Sequence, residues 1–146
     1  MTNDLNQLDL RLSGRYPGQL ISDRELVDFS IEKGDLATSQ GLGNLAQAIV
    51  NRLCTRKGEL AALGHPDYGS RLYQLVGELN NTRTRALAEL YIRECLVAEP
   101  RVEEIIKILF DSPSWDYYNR NTLNVTLIVK PVAEETPLTL SLSLNL

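Results

Sequence analysis

Leu138-Thr139-Leu140-Ser141-Leu142-Ser143-Leu144-Asn145-Leu146 alternates apolar with polar residues without a break. A strand turns successive side chains to opposite faces, so this stretch predicts a strand with leucines on one face and small polar residues on the other. No charge lies between Pro137 and Leu146, so the strand lacks the devices that usually blunt an exposed sheet edge. Its backbone is expected either to receive a strand from another chain or to close against Leu8, Leu10 and Leu12, which alternate in the same way near the start of the chain.

Working back from the tail, Leu123, Val125, Leu127 and Val129 alternate against Asn124, Thr126, Ile128 and Lys130, which predicts the hairpin partner of the last strand. Before a polar turn around residues 112–120, Val102, Ile106, Ile108 and Phe110 alternate as a strand does, while Val102, Ile105, Ile106 and Leu109 also fit one face of a helix. A strand is expected there. Farther upstream the period changes. Leu42, Leu45, Ala46, Ile49, Val50 and Leu53 recur at helical spacing, Leu72, Leu75, Val76 and Leu79 repeat it after Ser70, and Leu87, Leu90, Tyr91 and Cys95 do so after Thr82, with Ser70 and Thr82 as the expected N-caps of the second and third helices. Pro100 stops the third helix, because a residue before proline is pushed out of the helical region. Short strands are expected at Leu8–Leu12, ahead of a break at Ser13-Gly14 and Tyr16-Pro17-Gly18, and at Val27–Ile31, which ends at Lys33-Gly34-Asp35. The expected fold is α+β: one domain over residues 1–146, with about three helices packed on an antiparallel sheet that ends in a C-terminal β-hairpin.

Composition narrows the chemistry. A chain of 146 residues with 43% hydrophobic and 23% charged residues has enough core to fold without a metal or disulfide. Its net charge of −4 and its scattered basic residues lack the footprint of a phosphate-backbone binder, so nucleic acid is not an expected partner. Charges interrupt every apolar stretch before the ~18 residues of a membrane span, and Met1–Leu12 has no apolar leader core, so no membrane partner and a cytoplasmic location are expected. Cys54 and Cys95 fall in helical segments without a ligand-like spacing and are expected to be reduced and buried.

Catalytic chemistry has little support. His65 is the single histidine and sits in Gly64-His65-Pro66-Asp67, a turn sequence. No metal or cofactor motif is present. Glu59, Asp67, Glu78 and Glu99 are candidate carboxylates for glycoside hydrolysis, which requires a pair flanking the bond to be cut. With 19 acidic residues in the chain, solvated surface carboxylates are the plainer account.

Two segments stand out. Thr55 to Arg71 joins two predicted helices by a connection of roughly fifteen residues, long for a compact fold. Glu99-Pro100-Arg101 places an acid and a base around a rigid corner, where both are expected to project to the same side or, alternatively, to bridge each other. Leu53-Cys54-Thr55 with Arg56-Lys57-Gly58-Glu59, then Asp67-Tyr68-Gly69-Ser70 and Leu72, then Glu99-Pro100-Arg101-Val102 together resemble the small, lysozyme-like wedge subunits of contractile-tail baseplates. Those subunits occur in contractile phages, type VI secretion systems and extracellular contractile injection particles. The resemblance covers roughly residues 40–105, and its most specific piece is the Glu-Pro-Arg triplet.

The resemblance implies a structural subunit rather than an enzyme. It implies sixfold placement in the baseplate, where the subunit joins the wedge to the first sheath ring and helps initiate sheath assembly. Glu99, Pro100 and Arg101 are expected to contact the larger wedge proteins. The strand carrying Leu138, Leu140, Leu142, Leu144 and Leu146 resembles the sheath-like handshake region and is expected to contact the sheath protein. Inner-tube or spike-hub proteins are further candidate partners. The alternative is a peptidoglycan hydrolase that uses a carboxylate pair such as Glu59 and Asp67.

Overall fold

The computed structural model describes residues 9–13, 20–21, 28–29, 31–33, 35–36, 38–112, 121–132 and 134–146. The expected features at Leu8, Gly14, Tyr16-Pro17-Gly18, Val27, Ser30, Gly34 and most of the 112–120 turn lie outside these residues. Two α-helices, α1 (Gly41–Cys54) and α2 (Thr82–Leu96), pack on a sheet built from β1 (Leu20–Ile21), β2 (Val102–Phe110), β3 (Thr122–Pro131) and β4 (Leu138–Asn145). The order across the sheet is β1, β4, β3, β2. The last three strands are antiparallel neighbours, whereas β1 runs parallel to β4 and pairs Leu20 with Ser143 and Ile21 with Leu144. The expected α+β architecture and C-terminal hairpin are therefore present.

The period of each sequence segment explains its burial. In α1, Leu45, Ala46, Ile49, Val50 and Leu53 form the face turned to the sheet, with Leu42 only partly covered. Leu123, Val125, Leu127 and Val129 on β3 and Leu140, Leu142 and Leu144 on β4 meet that face and are buried. Burying one such aliphatic side chain stabilises by about 1.5–3 kcal/mol, so the two alternating strands supply a large share of the core.

Three expectations are corrected. The segment after Ser70 is not a helix to Leu79 but a 3-10 turn over Leu72–Leu75, so the chain has two α-helices among the described residues rather than about three. Leu72 and Leu75 are buried, but Val76 is extended and Gly77 takes φ +91°, which stops the coil and leaves Val76 and Leu79 exposed. In α2 the N-cap is Asn81, whose side chain accepts from Thr84 N at 2.9 Å, rather than Thr82. The buried face of α2 is Thr84, Ala88, Tyr91, Ile92, Cys95 and Leu96, which leaves Leu90 on the solvent side at 53% exposure.

β2 is a strand, but its phase differs from simple alternation. Register shifts between Val102 and Glu104 and between Ile105 and Lys107 insert extra residues, so Val102, Ile105, Ile108 and Phe110 are the ones packed against the core. Ile106 and Leu109 are left exposed. The two bulges produce the three-residue spacing that mimics a helical face.

The described N-terminal residues form three antiparallel pairings. Asp9–Leu10 pairs with Thr38–Ser39, Leu12–Ser13 with Asp28–Phe29, and Ile31–Glu32 with Asp35–Leu36 around Lys33. Gln47 on α1 donates to the Leu10 carbonyl at 2.8 Å and ties this region to the helix.

Candidate functional site

Glu99-Pro100-Arg101 follows α2 and leads into β2. The corner is a turn rather than extended chain, closed by hydrogen bonds from Glu99 N to Leu96 O at 3.0 Å and from Val102 N to Glu99 O at 3.1 Å. This geometry turns both charged side chains inward. Glu99 is 4% and Arg101 8% exposed. Arg101 Nε donates to Glu99 Oε1 at 2.8 Å and Arg101 Nη1 donates to Asn44 Oδ1 on α1 at 2.9 Å. Val132 N donates to the Arg101 carbonyl at 2.9 Å, which locks the corner to the end of β3. The acid and base thus bridge each other inside the fold, and breaking such a buried pair costs about 3–5 kcal/mol.

A second guanidinium joins the cluster. Arg52, in the last turn of α1, brings Nη2 to 3.6 Å from Glu99 Oε2. Its Cζ lies over the Tyr68 ring, 4.5 Å from the centroid. Burial raises the Tyr68 hydroxyl above its ordinary value, and the nearby Arg52 charge opposes that shift. Burial also pushes the Cys95 thiol up to about 12, so it stays protonated and unreactive at neutral pH. Cys95 is buried as expected, but Cys54 is only partly so.

The long connection is closed at its neck. Lys57 N donates to Ser70 O at 2.9 Å, Ser70 N to Thr55 O at 2.8 Å, and Ser70 Oγ to Leu53 O at 2.6 Å. Gly69 is required there: its φ is +104°, and a Cβ would lie 2.6 Å from the Thr55 carbonyl oxygen. Lys57 Nζ at 2.9 Å and the Arg71 guanidinium both hold Glu94 on α2. These two donors lower the Glu94 carboxyl below its ordinary range. The hollow between the neck and α2 is about 140 Å³, below the roughly 300–1,000 Å³ of small-molecule pockets.

Glu59, Asp67 and Glu78 are exposed, whereas the acid of a glycosidase pair sits in apolar surroundings. Glu59 accepts from Arg56 N at 3.1 Å, and Glu99 is already engaged by Arg101. His65 is exposed in its turn, with its carbonyl accepting from Tyr68 N at 3.3 Å. Among the described residues no group of His, Cys, Asp and Glu is placed to hold a metal ion, and no helix is long and apolar enough to cross a membrane.

The two flanks of the sheet complete the surface. Leu146 N donates to Asn121 O and Asp111 N donates to Asn124 O. With the register Leu142 to Val125, this parity turns the N–H and C=O of Leu140, Leu142 and Leu144 toward β3 and those of Thr139, Ser141 and Ser143 away from it. Ser143 lies beside Leu20 of β1, while among the described residues no strand stands beside Thr139 or Ser141 on that side. The opposite edge, β2, carries Glu103, Glu104 and Lys107 on its exposed positions as well as its two bulges.

Sequence reasoning singled out Glu99, Pro100, Arg101 and the Tyr68 segment but missed Arg52 and Asn44. Neither stands in a motif, and each lies far in sequence from the residues it meets. The five tail leucines line the inner side of β4 and its end, with Leu140, Leu142 and Leu144 buried and Leu138 and Leu146 partly so.

Comparison with known proteins adds a family. Residues 19–130 match the family described as the contractile injection system sheath initiator. A crystal structure from Geobacter sulfurreducens, named a candidate tail lysozyme, is similar with a TM-score of 0.58 and 26% identity, over 70% of this chain and 88% of that chain. No curated protein matches the chain.

Proposed function

The chain belongs to the contractile injection system sheath initiator family, and from that premise we propose that it seats the first sheath ring on a baseplate by offering the outer edge of β4 to a sheath strand. The observation that carries this is the outward backbone of Thr139 and Ser141, beside which no strand stands among the described residues, on a strand without charge or proline. The alternating leucines anchor the same strand in the core, so the edge is rigid before a partner arrives. In this role β3 and β4 act as the handshake hairpin. The subunit belongs to a sixfold wedge arrangement in a phage tail, a type VI system or a free injection particle.

Ser141→Pro tests the edge. It removes an N–H that points away from β3 and leaves the leucine face in place. The variant is expected to keep its melting temperature within a few degrees, while electron micrographs show baseplates and tubes without sheath. Normally sheathed particles from a folded variant would exclude this edge as the sheath contact.

We also propose that the Glu99-Pro100-Arg101 corner receives the larger wedge proteins. Since its charges are engaged internally, they act chiefly by fixing the corner's shape, and the surface offered includes Pro100 and the neighbouring Val97, which is 85% exposed. Val97→Asp should abolish co-purification with those proteins while changing stability by no more than about 0.5 kcal/mol. Unchanged co-purification would move the dock elsewhere.

The name of the Geobacter structure puts a muramidase reading beside this one. Peptidoglycan clearing by the purified chain, abolished by Glu59→Gln or Asp67→Asn, is the result that would establish it. No clearing is expected.

A further inference from the structure

Among the described residues, the corner cluster contains two guanidiniums, Arg52 and Arg101, but one carboxylate, Glu99. Arg101 is satisfied through Nε and Nη1. Arg52 is not. Its Nε is sealed from solvent with no acceptor, and its approach to Glu99 Oε2, at 3.6 Å, is an ion pair without a hydrogen bond. The side chain is 14% exposed. A guanidinium this covered normally has its donors engaged, because withdrawing a charge from water is costly unless hydrogen bonds replace the lost hydration.

Two features define what would complete it. Arg52 Cζ lies 4.5 Å from the centroid of the Tyr68 ring, a cation–π contact that holds the guanidinium without using any of its N–H donors in a hydrogen bond. The N–H fork matches a carboxylate, which can accept two parallel N–H bonds. The terminal nitrogens are not sealed as Nε is, so an acceptor can approach them from outside. A phosphate presents similar chemistry, but the chain's net charge of −4 disfavours approach to a nucleic acid backbone.

We propose that Arg52 is the charge through which the corner reads its partner, and that the partner contributes an Asp or Glu carboxylate that packs against the Arg52 tip beside Glu99. This rests on the docking role proposed for the corner, and it assigns that role's electrostatic contact to Arg52. Glu99 then holds one edge of Arg52 while Arg101 fixes Glu99. A partner carboxylate would bring two cations and one anion to electroneutrality.

The test uses the full chain co-expressed with the baseplate and sheath proteins encoded by the same particle, as wild type, Arg52→Gln and Arg52→Lys. Arg52→Gln is expected to weaken co-purification at least about tenfold and to flatten its dependence on sodium chloride. Arg52→Lys is expected to retain part of the binding. A melt of each variant separates loss of contact from loss of fold. In the Arg52→Lys chain a water-soluble carbodiimide can condense the introduced amine with a carboxylate in contact, forming an amide as the carbodiimide takes up the water to become a urea. A cross-link to an acidic residue of a partner, located by mass spectrometry, is the expected product. A cross-link to Glu99 alone, or binding by Arg52→Gln as tight and as salt-sensitive as wild type, overturns the proposal while the docking corner stands. If wild type binds none of these proteins and Val97→Asp changes nothing, the docking role itself fails and takes the proposal with it.

Discussion

The two edges of the sheet are built to opposite specifications. β2 has two register shifts and places Glu103, Glu104 and Lys107 at exposed positions, so a foreign strand meets a bent, charged backbone. β4 has an unbroken register with β3 over Leu138–Asn145 and no charge. Among the described residues, then, charges and bulges guard β2, whereas Thr139 and Ser141 of β4 carry no charge and have no strand on their outer side. The short parallel β1 pairs with β4 at Ser143 and Leu144, away from the Thr139 and Ser141 groups.

The largest expected effect comes from deleting residues 138–146. Leu140, Leu142 and Leu144 are 1%, 4% and 7% exposed, so the open edge cannot be removed without removing core, and the truncated chain should show no cooperative melt. A milder version compares the strands directly. Leu142→Ala should cost about 2–5 kcal/mol in urea denaturation, while Ile106→Ala on the guarded strand, 47% exposed, should cost well under half of that. Equal costs would mean that the two strands contribute alike to the core.

Next in size is the unguarding of β2. Replacing Glu103, Glu104 and Lys107 together by threonine leaves the bulges but removes the charges, and Lys130 loses its ion pair with Glu103. Sedimentation should show concentration-dependent self-association that the wild-type chain lacks. If the triple variant remains as monodisperse as wild type, the bulges alone guard this edge. An exposed ion pair contributes at most about 1 kcal/mol, so the fold should persist.

The smallest effect sets a baseline away from both edges. The folded-state pKa of Glu94 is lowered by Lys57 and Arg71, so the stability it contributes is present above its unfolded pKa and is lost as pH falls through the folded value. The difference in melting temperature between wild type and Glu94→Gln should therefore be visible at neutral pH and shrink toward zero in acid. A difference that grows in acid would contradict the tether. Sheath assembly at neutral pH should be indifferent to this change.

Much of this organisation was legible in the residues. The alternation in β3 and β4 and the three-to-four spacing in α1 settle both element type and buried face, because each follows from side-chain direction along a few consecutive residues. The 3-10 turn at Leu72–Leu75 was not legible, since its apolar spacing fits a helix until Gly77 reverses the backbone. Leu90 looked internal by spacing, but the arc through Ala88, Ile92 and Leu96 faces the core instead.

What the sequence by itself determined is the α+β class, the hairpin, the inward leucines and the two segments from which a site could be built. Only the tertiary structure decided that Glu99 and Arg101 turn inward, that Asn44 and Arg52 meet them, that β2 is guarded, and that among the described residues no strand stands beside Thr139 and Ser141 of β4. The physical reason is separation along the chain. A side chain's direction within one element is fixed by local backbone geometry, but partners drawn from α1, α2 and β2 meet only after those elements pack, and strand phase past a bulge is set by the neighbouring strand rather than by the strand's own residues.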